Sequence, residues 1–322
     1  METPVISVVT VTFNSAEYIR GCLDSLARSS APLAVEHIVV DNGSRDASVE
    51  IVKREFPEAI VIRNEENRGF TAANNQGEAV ARGRYVVFLN PDTLVPDGTL
   101  QTMLEILERH PGIGVLAPRL VDERGHFSFD MGHRDATAWT LINSFLLINR
   151  LSHDLFPGVL RTKDVVGLEY CDWACGACLM VRRDVADAFP WREFGAGDDF
   201  DYCTQIREAG WRVAVTGDAQ VTHFAGRSWR VARPTTVVGT ASNFARYLRE
   251  RRGPIHTAVG IAGMRLGLRV RSVAHHALYL LTRDPERLYK ANKTRQFLAH
   301  DDYSVFRKVK RVTPTSYPGL DK

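Results

Sequence analysis

Cysteine is scarce, with five in 322 residues. That low, odd number argues against a secreted disulfide scaffold and for a reducing compartment. No uninterrupted apolar run reaches about 18 residues, the least a spanning helix needs, which excludes a polytopic membrane protein. The amino terminus, Met1-Glu2-Thr3-Pro4, has no basic region and only a short apolar stretch after it, so no secretory leader is expected. Internal repeats, low-complexity linkers and a Walker A pattern are all missing. Collagenous and disordered classes fall away too, because 44% hydrophobic and 25% charged residues suit a chain with a buried core.

What remains is a length that fits one large α/β domain with additions or two modest domains. The net charge of +3 conceals an asymmetry. Residues 227–322 carry about 20 Lys and Arg against about 6 Asp and Glu, whereas the preceding chain has about 21 against 32. An acidic body with a basic tail implies two surfaces with different partners, the basic one facing nucleic acid, anionic lipid or a phosphorylated acceptor.

Apolar runs at 5–12, 35–40, 59–63 and 85–89 read as strands. Between them, 16–27, 47–55 and 71–81 read as helices, the first capped by the turn at Asn14-Ser15. This alternation predicts a parallel sheet covered on both faces, with ligands beyond the carboxyl ends of its strands. The polar clusters Thr12–Asn14, Asp41–Ser44 and Asn90–Asp92 fall there. Further along, a helix near 98–109, strands at 114–120, 166–181, 211–215 and 219–222, and a helix at 200–209 are expected. Residues 126–163 read as a loop or lid, and the chain turns helical and basic from about Thr235.

Several short pieces carry chemistry. The strand Tyr85–Leu89 runs into Asn90-Pro91-Asp92, presenting a carboxylate at the ligand edge where a hard cation and a diphosphate could meet it; turn formation is the competing reading. Asp41 ends the second strand and could accept hydrogen bonds from a ribose or base, or cap an Asx-turn. In Glu66-Asn67-Arg68-Gly69-Phe70, Gly69 permits close backbone approach and Arg68 could pair with phosphate. Asn74 and Asn75 follow in a helix of small residues, as binding amides or as a solvated face. Asp198, Asp199 and Asp201 crowd one helix start; capping explains one or two, and mutual repulsion would raise one pKa into the range of a general base. His223 ends a short strand and could give a neutral imidazole to the same cation or pack in the core.

In this order the pieces resemble the inverting family 2 glycosyltransferases of the GT-A fold, in their rhamnosyltransferase-like branch, from Ile6 to about Ser228. The resemblance implies an α/β fold with a Rossmann-like, mainly parallel sheet and helices on both faces. Residues 1–230 would form the GT-A domain, with 1–120 as the nucleotide-sugar half and 121–230 as the acceptor and catalytic half; 231–322 would be a basic helical extension. It further implies that Thr12, Asn14, Asp41, Asn67, Arg68, Gly69, Asn74 and Asn90 bind the nucleotide sugar. Asp92 and His223 would hold a divalent metal, Mn²⁺ or Mg²⁺. Asp199 would be the catalytic base, with Asp198, Asp201 and Gly176 supporting the acceptor side. The first acid of the family's Asp-x-Asp element is Asn90 here, which puts the weight on Asp92.

The activity so implied is metal-dependent, inverting transfer of a sugar to a hydroxyl of a cell-surface glycan or lipid-linked acceptor, with rhamnose from dTDP-rhamnose as the donor of the branch. The rivals are a nucleotidyltransferase making nucleotide sugars and a catalytically silent nucleotide-sugar-binding subunit. Gly112-Ile113-Gly114-Val115-Leu116-Ala117 spells a dinucleotide fingerprint but leads from helix into strand, the reverse of the required order. Cys175-Gly176-Ala177-Cys178 has no second cysteine pair for a zinc site. Residues 255–281 mix apolar side chains with Arg265, Arg269 and Arg271. They could lie on an anionic membrane surface with Trp229, Tyr279 and Tyr289 near the interface, pack as an ordinary helix pair, or mediate a homodimer. No nucleic-acid motif accompanies the charge. The expected location is the cytoplasm, at the inner face of the cytoplasmic membrane.

Overall fold

Valine and isoleucine dominate the strands that lead into the rim. In β1 (Ile6–Thr12), β2 (Val35–Asp41) and β4 (Tyr85–Leu89) most side chains are buried, as happens when helices cover both faces of a sheet. Those helices are α1 (Ile19–Ser30), α2 (Ser48–Glu55) and α3 (Phe70–Val80), with the short strand β3 (Ile60–Arg63) between the last two. The computed structural model describes residues 3–127, 132, 134–152, 155–159, 161, 164–193, 198–224 and 246–299. Ser228, Trp229, the onset of the helical tail at Thr235 and residues 194–197 lie outside the described residues.

The chain continues through β5 (Thr93–Leu94), α4 (Thr99–Arg109), β6 (Ile113–Val121), α5 (Ala138–Phe145), β7 (Leu168–Cys171), β8 (Cys178–Arg182), α6 (Arg183–Ala188), α7 (Asp198–Glu208) and β9 (Arg212–His223). Two helices follow, α8 (Pro254–Thr282) and α9 (Pro285–Ala299). Among the described residues one sheet runs β3-β2-β1-β4-β8-β6-β9-β5, with β7 also on β9. β1 pairs in parallel with β2 on one side and β4 on the other. The strand order therefore reverses at β1, the switch point where sheets of this kind open a ligand crevice.

The parallel expectation holds for β1 to β4, and the other half of the sheet is mixed. β8 runs antiparallel to both β4 and β6, because β7 and β8 are separate strands joined by residues 172–177 rather than one strand over 166–181. The strands expected at 211–215 and 219–222 merge into β9, whose register on β6 shifts between Pro118 and Arg119. The 112–117 fingerprint is indeed a helix-to-strand passage from α4 into β6.

Contacts divide the chain into two units, Met1–Asp135 with Val159–Pro234, and Ala136–Gly158 with Thr235–Lys322. The segment expected to be a loop or lid thus contributes α5 to the helical unit, with Thr137 and Thr140 forming a capping box at its start. This division differs from a boundary at residue 230 by that one segment.

Candidate active site

The carboxyl ends of β1, β2 and β4 place Thr12, Asp41 and Asn90 at one rim, and β5 brings a distant residue to it. β5 pairs with the end of β9 so that Thr93 faces His223, and the Phe224 amide donates to the Asp92 carbonyl at 3.0 Å. His223 Nε2 consequently lies 3.5 Å from Asp92 Oδ1, with Asp92 fully buried and His223 nearly so. A carboxylate oxygen and an imidazole nitrogen at that separation form a donor set suited to a divalent cation. Among the described residues no group of three or more His, Cys, Asp or Glu forms such a site, so the remaining ligands of any cation would come from substrate oxygens or water, as is usual for Mg²⁺.

On the neighbouring strand the register sets Leu89 opposite Cys178, and the Asn90 amide donates to Ala177 at 2.9 Å. The next residue back, Gly176, donates its amide to Asp199 Oδ2 at 3.0 Å. Asp199 is thereby anchored one residue away from the strand end that carries Asn90-Pro91-Asp92. A side chain at Gly176 would put a Cβ 3.2 Å from that of Asp199, so glycine keeps this approach open. Burial pushes the Asp199 carboxyl above the usual aspartate range, against the amides of Gly176 and Phe200 that favour its ionised form. A half-buried carboxylate with a raised pKa is the state a general base requires.

Aromatic packing sets the position of α7. Trp191 stacks on Tyr202 with parallel rings 4.2 Å apart and meets Phe70 and Phe88 edge-on. The Asn75 amide exchanges two hydrogen bonds of 2.9 Å with the Trp191 backbone. Asn75 therefore ties α3 to the segment ahead of α7, a structural use that the small-residue helix did not disclose. Asn74 is buried and donates to Phe70 O within its own helix at 3.1 Å, which removes it from the donor-binding set. Asp201 is likewise turned inward, accepting from Gln205 at 2.8 Å, while Asp198 is half-buried in the first turn of α7. Its place there suits the helix dipole.

The loops after β2 and β3 are knitted by a residue that the motif reading passed over. Buried Asn42 donates to Asn67 Oδ1 at 2.9 Å and Gly69 O at 3.1 Å, and accepts from Arg68 N at 3.0 Å and Asn64 Nδ2 at 3.1 Å. Gly43 allows this closeness, since a Cβ there would lie 2.9 Å from the Glu66 carbonyl carbon and its φ is +83°. Asn67, Arg68 and Gly69 are exposed on the resulting loop. Asp41 is fully buried and accepts from Ser44 N at 3.2 and 3.3 Å, with Arg63 at 3.9 Å. Its hydrogen bonds match the Asx-turn, not a group held out to a ribose. Asn14, at φ 50°, accepts from Arg45 N at 2.8 Å instead of capping α1. Thr12 is buried at the rim, with no hydrogen-bond partner for its hydroxyl among the described residues.

Asn42→Ala removes both ends of four hydrogen bonds at once. The expected cost is about 3 kcal/mol, from several buried partners left unmatched. A urea midpoint lowered at unchanged slope checks it.

The cysteines take no part in this chemistry. Burial pushes the thiols of Cys22, Cys171 and Cys178 up to about 12, the state of inert core residues.

Comparison with known proteins follows the same outline. The pattern of Glycosyl transferase family 2 matches residues 7–187. The chain is 24% identical over 243 residues to N-acetylglucosaminyl-diphospho-decaprenol L-rhamnosyltransferase of Mycobacterium tuberculosis, covering 70% of this chain and 78% of that protein. It is 32% identical over 108 residues to the minor teichoic acid biosynthesis protein GgaB of Bacillus subtilis, covering 32% of this chain and 12% of GgaB. Relatives at 29–34% identity match over 106–132 residues, between 12 and 46% of their own length. Among solved structures, the mannosyltransferase PcManGT from Pyrobaculum calidifontis, in complex with GDP-Man and Mn²⁺, superposes with a TM-score of 0.60 at 18% identity. That match covers 96% of this chain and 89% of the other.

Proposed function

Because the chain belongs to glycosyl transferase family 2 and has the GT-A fold, we propose that it transfers a sugar from a nucleoside diphosphate donor to an acceptor hydroxyl with inversion. The donor of this reading is dTDP-rhamnose, and the acceptor is a lipid-linked or growing cell-surface glycan. The similarity to a mycobacterial rhamnosyltransferase and to a teichoic acid biosynthesis protein supports that choice. The observation that carries the reading is the arrival of Asp199 and of the Asp92–His223 pair at the ends of adjoining strands.

In this reaction Asp199 accepts the proton of the acceptor hydroxyl while that oxygen attacks the anomeric carbon. One C–O bond forms there, and the C–O bond to the diphosphate breaks on the opposite face, so the configuration inverts. Asp92 and His223 would hold the divalent cation, which supplies positive charge to the leaving diphosphate. The exposed Asn67-Arg68-Gly69 loop offers backbone amides and one guanidinium to the donor. Thr12 and Asn90 stand at the same rim. Asn42 and Asp41 shape the loops without reaching the donor.

A thermal-shift panel of nucleotide sugars, with and without Mn²⁺ or Mg²⁺, tests the donor. Specific binding stabilises the folded state by about 2.7 kcal/mol at a hundredfold excess over Kd. dTDP-rhamnose with metal is expected to give the largest shift. A larger shift with another nucleotide sugar reassigns the donor. Pyrophosphate release from a nucleoside triphosphate and a sugar phosphate would instead make the protein a nucleotidyltransferase. Donor binding with no turnover or slow hydrolysis would make it a silent binding subunit.

A further inference from the structure

Helix α8 has two faces that are both apolar, and the fold uses one of them. Thr257, Gly260, Gly263, Met264, Gly267 and Leu268 are buried. A Cβ on Gly263 would come within 2.2 Å of Ile142, and one on Gly267 within 2.5 Å of the Phe145 backbone. This seam of small residues lets α5 lie directly against α8. On the opposite side Ile255, Val259, Leu266, Val270, Val273 and Leu280 recur three, four or seven residues apart and are all exposed, Ile255 by 78% and Val273 by 69%. At 1.5 Å per residue the stripe runs about 38 Å. A surface helix normally turns polar residues outward, and an apolar strip of this length marks an interaction site.

The charge around the stripe identifies the occupant. Residues 246–283 carry eight arginines and a single acid, Glu250, and Glu250 already lies 3.2 Å from Arg246. α8 itself contains no Asp or Glu. Arg269 is exposed on the flank of the stripe, and Arg249 and Arg265 line a shared cleft beside Pro254 and Ile261. A second copy placed on this face would bring arginines against arginines with no acids to answer them. An anionic surface provides the missing negative charge. No described helix is long and apolar enough to cross a membrane, so the stripe belongs along a membrane surface, not through it.

We propose that the exposed face of α8 docks on an anionic lipid bilayer, its aliphatic stripe entering the headgroup boundary and its arginines pairing with lipid phosphates. This arrangement is the physical signature of an interfacial helix. It rests on the helical unit alone and stands whether or not the donor reading does.

Sedimentation of the full chain with vesicles tests it, using phosphatidylcholine alone and phosphatidylcholine mixed with phosphatidylglycerol. Binding is expected to the mixed vesicles only and to weaken with salt. Arg249→Gln with Arg269→Gln should lower the partition about 30-fold, because each basic group near such a surface accounts for about a fivefold factor. Leu266→Glu with Val273→Glu should abolish binding while leaving the unfolding midpoint unchanged, since both side chains are exposed. No binding, equal binding to both vesicles, or binding that ignores both variants overturns the proposal. So does a concentration-dependent dimer that Leu266→Glu dissociates, which would make the face a contact between copies. Donor binding measured on the same variants is expected to be unaltered, so a failure here is separable from a failure of the transferase reading.

Discussion

Asp199→Asn is expected to lower turnover by at least about a thousandfold, the range that a positioned general base contributes, while leaving donor affinity within about twofold. The substitution keeps the side chain's shape and one acceptor oxygen. The carboxylate now accepts from both Gly176 N and Phe200 N, so the asparagine amide must face one of these donors and loses that bond. Against this, the variant no longer places a charge in a site where burial raises the carboxyl's pKa. The two effects oppose each other, and the folded state should survive.

The sign of the pH dependence follows from the same environment. A carboxyl whose pKa is raised on folding adds stability that is complete below the ordinary aspartate value, about 3.9, and lost as pH rises through the raised one. Catalysis needs the opposite, ionised form. The acid limb of the kcat/KM profile should therefore have its midpoint above the ordinary aspartate value, and the limb should vanish in Asp199→Asn. Asp201→Asn is the control, since Asp201 bonds to Gln205 in the core; it should cost stability and little turnover. Retention of more than a tenth of wild-type turnover in Asp199→Asn, or an acid limb that persists in it, would remove Asp199 from the role.

Much of the frame behind these residues is legible from local pattern. The runs at 5–12, 35–40 and 85–89 are apolar on both faces, and only a covered parallel sheet accommodates that. Asp41, Asn90 and Asp92 are placed at the rim by the same logic, because a strand that ends in polar residues ends at the ligand edge. Side-chain direction is a different matter. Asp41 and Asn74 stand where a binding residue would, yet each is turned onto its own backbone. Nothing in composition or spacing separates an amide held by its own helix from one offered to a ligand.

Non-local partners were hidden for a stronger reason. The Asn75–Trp191 clamp and the Asn42 hub depend on segments that meet only after the sheet forms. The α5 segment did leave a local trace in Thr137 and Thr140, three residues apart ahead of an apolar run, a spacing that signals a helix start. That trace locates the helix but not the unit it joins, because α5 packs through the glycine seam of α8, more than a hundred residues further along the chain.

Asp92→Asn is expected to abolish the Mn²⁺-dependent part of nucleoside diphosphate binding and to reduce turnover by several orders of magnitude. The residue is fully buried, so the isosteric change leaves no cavity and the effect reads on chemistry. Its oxygen faces His223 at 3.5 Å because β5 pairs with β9 in a single register. His223→Ala removes the neutral donor and keeps the charged one, so it should weaken metal affinity by a smaller factor, about 10- to 100-fold by analogy with lost supporting groups at metal sites. The readout that does not depend on activity is the unfolding temperature of the protein with nucleoside diphosphate, titrated with Mn²⁺. Wild type should rise by several degrees at saturating metal, at about 2–4 °C per kcal/mol for a domain of this size. His223→Ala should need more metal to reach the same rise, and Asp92→Asn should show none. Equal metal-dependent shifts in wild type and Asp92→Asn would place the cation elsewhere. The convergence at the ends of β4 and β9 would then be a packing feature of the rim and no part of the reaction.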